Sequence, residues 1–449
     1  MDRTRCCFSA LDKVIVSNPV FLGIDIGTSG IRASGINVDE QEIISHHIAF
    51  KTRLPFQGKN EQDPNAWLPL LDKLLIEISE KLKKLDSNYQ INAISIDGTS
   101  GTLIACKKDG TALSPALMYN DQQSQKQAEI ISRYAPAESA VHGASSSLAK
   151  ALNLLEKYPQ TESFCFQADW LAASLTGKYG VSDENNCLKL GYDSISQSWP
   201  DWLQNNNENA VIPKALLPRV VAPGSITGKI KPGLIKKYKL AENCVVIAGT
   251  TDSNAAVLAT GANQLGDAVT SLGSTLVVKL FSDKPLFNPE YGIYSHRLNN
   301  HWLIGGASNS GGSVLLQQFT QTQLDEMTPQ LNPEHPIGLD YYPLPGTGER
   351  FPVNDSNKQS RINPRPSSDV EFFQALLEGI AGIEAEGYTK LEALGATAAN
   401  RIYTTGGGNK NPAWKKIRER TTGIDVLDAV HSEASYGSAL LALRAMKSE

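Results

Sequence analysis

The most informative absences in this chain of 449 residues concern basic charge, paired cysteines and long apolar runs. Its 42 lysines and arginines are outnumbered by 47 aspartates and glutamates, and the net charge of −5 argues against a nucleic-acid partner. The 6 cysteines form no C-x-x-C pair and no cluster with zinc spacing, which excludes a zinc finger. No apolar run approaches the roughly 20 residues that span a bilayer, so no membrane partner is expected.

The length predicts more than one domain, because domains usually contain about 100–200 residues. A hydrophobic fraction of 41% and a charged fraction of 20% are typical of a globular protein. Residues 1–19 precede the first predicted strand and are either the remnant of an organellar transit peptide or a disordered tail. The sequence does not distinguish a monomer from a homodimer.

Two segments combine an apolar strand, a Gly/Thr turn and one carboxylate. The first is Phe21–Gly30 with Asp25, and the second is Ile247–Ser253 with Asp252. A Gly-Thr-Ser turn offers N–H groups and hydroxyls to a phosphate oxygen, and a carboxylate beside it can hold Mg²⁺. The other carboxylate is then available to take a proton from an attacking hydroxyl. The pair therefore predicts phosphoryl transfer from ATP to an alcohol.

The strand and turn pattern occurs twice along the chain. Val20–Ile24 and Ile31–Ile36 predict a hairpin around the first turn, and Val269–Lys279 repeats the pattern around Gly-Ser-Thr. The chain thus contains two weakly related halves. A later strand, Ile402–Thr405, runs into Gly406–Pro412, where three consecutive glycines let a ligand approach the backbone. The alternative is a plain turn between a strand and a helix.

Helix signals frame the rest of the chain. Asp63 is a good N-cap and Pro64 suits the first helical position, so a helix is predicted to begin there. A second, long helix is predicted over Glu371–Leu394. Residues 195–230 lack periodicity and are interpreted as surface excursions, and residues 320–365 as an irregular, proline-rich stretch.

Together these motifs resemble the FGGY carbohydrate kinases, within the wider actin-like, sugar-kinase and chaperone ATPase fold. No Walker loop is present, and Asp25 occupies the place of the second glycine of a dinucleotide fingerprint. The resemblance covers about residues 20–449. Its motifs are Asp25–Gly30, Gly249–Asp252, Ser271–Thr275, Ala375–Ile380 and Gly406–Gly408.

The resemblance implies an α/β fold of two ribonuclease-H-like lobes, with sugar and ATP meeting in the cleft between them. The sugar-binding lobe is expected over residues 20–259 and the nucleotide-binding lobe over residues 260–449. Residues 432–449 are expected to pack back onto the first lobe. A small-molecule sugar is the implied partner, and ATP and Mg²⁺ are the implied cofactors.

The resemblance also implies residue roles. Asp252 is the general base, Asp25 holds Mg²⁺ and contacts the sugar, and Thr28 assists catalysis. The nucleotide contacts are Gly27, Thr28, Ser29, Gly30, Gly273, Ser274, Thr275, Gly407, Gly408, Asn411 and Trp414. For Trp414 the alternative is a core-facing aromatic on a helix that begins at Asn411 and Pro412.

The sugar acceptor must be read from the first lobe, where the chain departs from xylulose kinases. Many of these have Gly-Gln-Met-His-Gly where this chain has Asp97–Thr102, without an imidazole. In place of Trp-x-Asp-x-Arg stands Tyr119–Gln123, which keeps Asp121 but loses the charge and rigid donor fork of arginine. Ser100 and Asp121 are the expected sugar contacts, or Ser100 satisfies only its own loop.

With these departures the chain resembles a smaller branch of the family, which is associated with cyanobacteria and plant plastids. The members of this branch are labelled xylulose kinase-like and look like D-ribulose kinases. The shared segments include Gln167–Trp170, Leu188–Tyr192, Gly305–Asn309 and Leu339–Pro345. The branch favours phosphorylation of D-ribulose and a location in the plastid stroma, with the cytoplasm as the alternative. A D-xylulose or polyol kinase, a sugar-independent actin-like ATPase and a sugar sensor without kinase activity are the other hypotheses.

Overall fold

The computed structural model describes residues 18–50, 60–204 and 211–447. Of the predicted N-terminal tail, residues 1–17 lie outside this range. The strands of the first half are β1 (Asn18–Ile26), β2 (Gly30–Ile36), β3 (Glu42–Ala49), β4 (Glu61–Gln62), β5 (Tyr89–Gly98), β6 (Leu103–Cys106), β7 (Ala116–Leu117), β8 (Ser163–Phe166), β9 (Val181–Asp183), β10 (Arg219–Val221), β11 (Ile226–Lys229) and β12 (Val245–Ile247). Those that follow are β13 (Asp267–Leu272), β14 (Leu276–Ser282), β15 (Tyr294–Leu298), β16 (His301–Ala307), β17 (Arg401–Thr405) and β18 (Asp425–Asp428).

The helices alternate with these strands. They are α1 (Trp67–Leu85), α2 (Gln125–Ile131), α3 (Ser147–Lys157), α4 (Gln167–Thr176), α5 (Glu184–Cys187), α6 (Asp201–Gln204), α7 (Pro232–Tyr238), α8 (Asp252–Ala259), α9 (Gly312–Gln318), α10 (Gln321–Met327), α11 (Asp369–Ala393), α12 (Pro412–Thr422) and α13 (Ala434–Lys447). No helix within the described ranges is both long and apolar enough to cross a membrane.

Two six-stranded sheets share the topology of five strands. The first has the order β3-β2-β1-β5-β12-β11 and the second β15-β16-β14-β13-β17-β18. The five strands from β3 to β12 correspond to the five from β16 to β18, and β11 and β15 are additional edge strands. In each sheet a central strand forms an antiparallel hairpin with its successor and a parallel pair with a later strand: β1 with β2 and β5, β13 with β14 and β17. The repeat confirms the two related halves, and the α/β fold of two lobes.

The predicted elements lie close to the observed ones. Asp63 caps the first turn, because its side chain accepts a hydrogen bond from the backbone N–H of Asn65, and Pro64 follows as expected. The long helix is α11, and the strand before the three glycines is β17. Apolar side chains of α1 at helical spacing are buried beneath the first sheet, and they include Trp67, Leu71, Leu74, Ile78 and Leu82.

Two interpretations of irregular regions are wrong in part. Residues 195–230 contain β11, which pairs with β12 at the edge of the first sheet, and β10, which pairs with β9. β10 has 3 residues and β11 has 4, which is too few for an alternating pattern to show in the sequence. Residues 320–365 begin with the short helix α10, where Thr320 and Gln323 form a capping box that the proline content obscured.

The C-terminal helix α13 packs on the first sheet although it follows the second in the chain. Tyr436, Ala439 and Leu440 form a buried cluster with Phe21 of β1 and Val245 of β12. A side chain at Gly23 would overlap the carbonyl oxygen of Ser435, so the helix lies directly on the β1 backbone. The division of the chain at residues 259 and 260 stays a prediction.

Candidate active site

The carboxylates of Asp25 and Asp252 line one cavity of about 370 Å³, which we call the carboxylate cavity. Asp25 lies near the end of β1, and Asp252 is the first residue of α8. The turn Gly27–Ser29 also lines this cavity, and the side chains of Thr28 and Ser29 are exposed. The end of β1 and the start of α8 lie at the same edge of the first sheet, because Ile26 of β1 pairs with Gly98 of β5 and Gly98 forms a parallel bridge to Thr251.

Asp97 is a third carboxylate at this edge. It stands directly opposite Asp25 on the neighbouring parallel strand and is completely buried. Burial, together with the charge of Asp25, raises the pKa of Asp97 well above its usual value. Asp97 is therefore the member of the Asp25–Asp97 pair that holds a proton more readily, and Ser438 of α13 donates to its Oδ2 at 2.5 Å. Burial raises the pKa of Asp25 as well, but the neighbouring Arg32 opposes this rise, so Asp25 ionises before Asp97.

The pKa of Asp252 is raised to about 6, mainly by burial and next by the negative charge of Asp25. Its Oδ1 accepts a hydrogen bond of 2.7 Å from the backbone N–H of Ser253. A carboxylate with this pKa is ionised at neutral pH and is still a better proton acceptor than an ordinary aspartate. This is the property that a general base requires.

Lys279 of β14 connects the second sheet to the helix that begins at Asp252. Its Nζ donates to the carbonyl oxygen of Ser253 at 3.0 Å, to Ser253 Oγ at 3.1 Å and to Asn254 Oδ1 at 2.9 Å. Burial lowers the pKa of Lys279 to about 7, and its charge in turn lowers the pKa of Asp252. Lys279 therefore holds the first turn of α8 from the opposite lobe and favours the ionised form of Asp252.

The loop that follows β5 forms another wall of the carboxylate cavity. Thr99 lines the cavity, and its N–H and Oγ1 both donate to Gln167 Oε1, at 3.1 and 2.8 Å. Lys150 of α3 is fully buried and donates to the carbonyl oxygens of Gly101 at 2.9 Å and Met118 at 2.7 Å. Lys150 thus ties this loop to the loop that carries Tyr119, a 47% exposed residue that also lines the cavity.

A second cavity, which we call the glycine cavity, lies on the second lobe and measures about 730 Å³. It lies between the turn of β13 and β14, the helices α10 and α11, and the turn after β17. Its lining includes Gly273, Ser274, Gly407, Gly408, Asn411 and Trp414. Leu272, Leu315, Phe373 and Leu377 make one side apolar. The lining thus combines an apolar side with glycine turns whose backbone a ligand can approach closely.

The start of α12 explains how Asn411 and Trp414 reach the glycine cavity. Asn411 is the N-cap, and its side chain accepts from the backbone N–H of Trp414 at 3.0 Å. Trp414 is only 3% exposed and its Nε1 donates to the carbonyl oxygen of Leu377 at 3.2 Å. Trp414 is therefore both a core aromatic and a wall of the cavity. Gly408 is required beside it, because a Cβ would lie 2.6 Å from the indole ring.

Four residues of the expected site line neither cavity. Gly30 is buried, and a Cβ there would lie 2.5 Å from the carbonyl oxygen of Ile48, so it serves the pairing of β2 with β3. Thr275 stands in the β13–β14 turn, where its carbonyl oxygen accepts from Gly273 N–H at 3.2 Å. Asp121 is 1% exposed and accepts both from the N–H and from the side-chain amide of Gln123. The sugar contacts of Ser100 and Asp121 stay predictions.

The donor set of the carboxylate cavity fits Mg²⁺ bound together with a nucleotide. Mg²⁺ in kinases is commonly held by one or two carboxylates together with phosphate oxygens and water. Asp25 is the carboxylate that fits this role, and Thr28 and Ser29 line the same cavity with their hydroxyls. No group of three or more histidines, cysteines, aspartates or glutamates in the described ranges is arranged to bind a metal without phosphate.

Sequence reasoning missed several residues of the site. Asp97 carried a usable signal, because it ends an apolar strand as Asp25 does. Arg32 and Glu433 carried no signal in the sequence, because they lie far apart in the chain. Arg32 lies 3.4 Å from Asp25 Oδ2 and 3.6 Å from Glu433 Oε2, and this contact joins β2 to the start of α13 across the cavity mouth. Lys279 also carried no signal, because Ser253 and Asn254, its partners, are distant in the chain.

Two α/β lobes, with the carboxylate cavity on one and the glycine cavity on the other, form the actin-like ATPase fold. Residues 20–259 match the model of the N-terminal domain of the FGGY family of carbohydrate kinases, and residues 268–446 match its C-terminal domain. The chain therefore belongs to the FGGY family of carbohydrate kinases. It is a phosphotransferase with ATP as the phosphoryl donor.

Relatives and solved structures agree with this family. A xylulose kinase from Lactococcus lactis is 25% identical over 416 residues, covering 87% of this chain and 80% of the relative. The fold is similar to that of a xylulose kinase from Brucella ovis, with a TM-score of 0.85, 21% identity and coverage of 96% and 91%. A gluconate kinase from Lactobacillus acidophilus has a TM-score of 0.81, 18% identity and coverage of 96% and 90%.

Proposed function

We propose that this chain phosphorylates a ketopentose, D-ribulose to D-ribulose 5-phosphate, with Asp252 as the general base. The observation that carries the proposal is the shared cavity of Asp25 and Asp252, two carboxylates in different environments. The raised pKa of Asp252, about 6, suits proton acceptance from a sugar hydroxyl. The volume of about 370 Å³ and the polar lining suit a small polyhydroxylated acceptor.

The roles of the remaining residues follow from their positions. When bound, Mg²⁺ neutralises phosphate charge that builds up during transfer. Asp25 is proposed to hold this ion, and Thr28 and Ser29 to donate hydrogen bonds to phosphate oxygens. Gly273 and Ser274 are proposed to contact the phosphates from the second lobe, and Gly407, Gly408, Asn411 and Trp414 to line the adenosine site. Asp252 accepts the proton of the attacking hydroxyl.

The choice of D-ribulose is supported by the first-lobe loops. Two segments that carry the resemblance to the branch, Asp97–Thr102 and Gln167–Trp170, are in direct contact. Gln167 accepts two hydrogen bonds from Thr99 at the cavity wall. In place of the arginine expected in xylulose kinases, Gln123 donates to Glu61 and Asp121, at 2.8 Å each. The second candidate is D-xylulose, which is favoured by the names of relatives from Lactococcus lactis and Escherichia coli.

The test is release of ADP from Mg²⁺-ATP with D-ribulose, D-xylulose, L-ribulose, glycerol or no acceptor. D-Ribulose is expected to give the highest kcat/KM. A higher value with D-xylulose would overturn the ribulose assignment and leave the kinase intact. A rate that is equal with and without acceptors would instead contradict the role of Asp252 as a base for a sugar hydroxyl.

A further inference from the structure

A third cavity, which we call the hinge cavity, lies between the two lobes and is larger than both cavities described above. Its volume is about 870 Å³. The first lobe contributes Glu184 and residues 222–226, which lead into β11. The second lobe contributes Asn263 and residues 297–300 at the β15–β16 turn, and the C-terminal turns of α13 contribute Arg444. A ligand here would touch both lobes at once.

Two guanidinium groups face the hinge cavity. Arg297 is partly exposed, and its guanidinium carbon lies 5.0 Å from the ring centre of Trp302. Among the described residues, no carboxylate lies within ion-pair distance of Arg297. Arg444 Nη1 donates to Asn299 Oδ1 at 3.0 Å, which orients this second guanidinium at the cavity wall. Guanidinium groups are the side chains that best match the geometry of a phosphate.

Glu184 adds a buried acceptor to the same cavity. It is 4% exposed, and its Oε2 has no hydrogen-bond partner within the described part of the chain. Burial raises the pKa of Glu184 to about 7, against the charge of Arg297, which lowers it. A buried carboxyl oxygen without a donor is costly, and a ligand hydroxyl would satisfy it. The side chains of Asn263 and Asn300 provide further polar groups around it.

We propose that the hinge cavity is a regulatory site for a small phosphorylated polyol. Arg297 and Arg444 hold the phosphate, and Glu184 accepts a hydrogen bond from a hydroxyl group. The combination of cationic and acceptor groups selects this class over inorganic phosphate, which lacks the polyol, and over a free sugar, which lacks the charge. The size of the cavity lies within the usual range of about 300–1,000 Å³ for small-molecule sites. The proposal holds for any sugar acceptor of the kinase.

The hinge cavity is coupled to the carboxylate cavity through two elements. Helix α8 begins at Asp252 and runs for 8 residues, about 12 Å at the helical rise, toward Asn263. Asn185, next to Glu184, donates from Nδ2 to Thr250 Oγ1 at 3.0 Å and to the carbonyl oxygen of Arg297 at 2.9 Å. A ligand that draws Glu184 and Arg297 together therefore acts on the turn that positions Asp252, and on lobe closure.

The test measures binding to the full chain by isothermal titration calorimetry, with D-ribose 5-phosphate, inorganic phosphate and D-ribose as probes. D-Ribose 5-phosphate is expected to bind most tightly. Arg297→Gln is expected to raise its Kd by about 10-fold or more, since a charge-assisted contact is lost. Glu184→Gln is expected to weaken D-ribose 5-phosphate and to leave the binding of inorganic phosphate unchanged. The melting temperature of each variant verifies that it is folded.

Two controls separate the hinge cavity from the active site and from surface charge. Asp252→Asn alters the carboxylate cavity and is expected to keep the binding of D-ribose 5-phosphate, and the exposed Arg133→Gln is expected to do the same. Equal affinity for inorganic phosphate and D-ribose 5-phosphate would overturn the proposal. So would wild-type affinity in both Arg297→Gln and Glu184→Gln, or loss of binding in Asp252→Asn alone.

Discussion

At the scale of single residues, Asp25 and Asp252 share one cavity but differ in what surrounds them. Burial raises the pKa of Asp25, but Arg32 at 3.4 Å opposes this rise and supports the negative charge that suits a metal ion. Asp252 is partly buried and accepts from the backbone N–H of Ser253, and its pKa of about 6 suits proton transfer. Environment thus divides the work between two chemically identical side chains.

Replacing Asp252 by Asn is expected to lower kcat by about 10²–10⁴, the usual contribution of general-base catalysis. In the wild type, kcat is expected to rise as the pH increases through about 6 and then to level, because only the ionised form accepts a proton. Steady-state kinetics from pH 5 to 8, with Kd for ATP measured separately, tests both statements. The exposed Asp39→Asn is the matched control, and near-normal turnover in Asp252→Asn would contradict the role of Asp252.

Lys279→Met removes a positive charge from the vicinity of Asp252, so the pKa of Asp252 should rise. We expect the midpoint of the kcat–pH profile to move to higher pH and kcat at neutral pH to fall. Lys279→Arg should restore the midpoint, because it restores the charge. A purely structural role for the contacts to Ser253 and Asn254 would lower kcat at every pH without moving the midpoint, and that outcome would reject the electrostatic role.

The sequence predicted Asp25 and Asp252 because each stands where an apolar strand meets a Gly/Thr turn, a local pattern. It did not predict Lys279, which lies on a strand whose pattern is explained by the fold alone. The partners of Lys279 are on another lobe, and only tertiary structure brings them within 3.1 Å. Residues that act locally are therefore visible in the sequence, and residues that act across the cleft are not.

At the scale of elements, the segments on which the predicted branch rests are connected to one another. Gln167, the first residue of α4, fixes Thr99 in the loop after β5. Glu349 accepts from Ser308 Oγ at 2.6 Å and from the hydroxyl of Tyr342 at 3.3 Å, and so joins Gly305–Asn309 to Leu339–Pro345. Such segments were useful for recognition because they hold loops in place, and this also explains why they did not reveal which side chains touch the acceptor.

The close crossing of α13 and α8 predicts that a glycine-to-alanine substitution destabilises the protein at this crossing and stabilises it at an open position of another helix. A Cβ at Gly437 of α13 would lie 1.8 Å from the carbonyl oxygen of Ala255 in α8, and backbone cannot move aside cheaply. Gly437→Ala is therefore expected to reduce the free energy of unfolding by about 1–3 kcal/mol. In α11, Gly382→Ala meets no atom within 4 Å and should increase it by about 0.5–1 kcal/mol.

Urea unfolding followed by circular dichroism measures both values. Because α8 carries Asp252 at its first position, Gly437→Ala should also lower kcat, whereas Gly382→Ala should leave kcat unchanged. Equal changes in the free energy of unfolding for the two variants would show that helix propensity alone determines these changes. The close packing of α13 on α8 would then have no energetic consequence.

At the scale of the whole molecule, the two lobes have different tasks but are joined at several points. The carboxylate cavity belongs to the first sheet and the glycine cavity to the second, so phosphoryl transfer requires the two to meet. The connections are the helix α13, the contacts of Lys279 with Ser253 and Asn254, and the hydrogen bonds of Asn185 with Arg297. A rotation of one lobe against the other would have to preserve or rearrange these contacts.

Closure is therefore expected when acceptor and nucleotide are bound together. The Asp252→Asn variant offers a direct measurement, because it should bind D-ribulose and Mg²⁺-ATP without turning them over. Small-angle X-ray scattering should show a smaller radius of gyration with both ligands than with either alone, since the acceptor and the nucleotide together draw the carboxylate cavity and the glycine cavity toward each other. An unchanged radius with both ligands at saturation would mean that the lobes are already closed, and specificity would then rest on the shape of the carboxylate cavity alone.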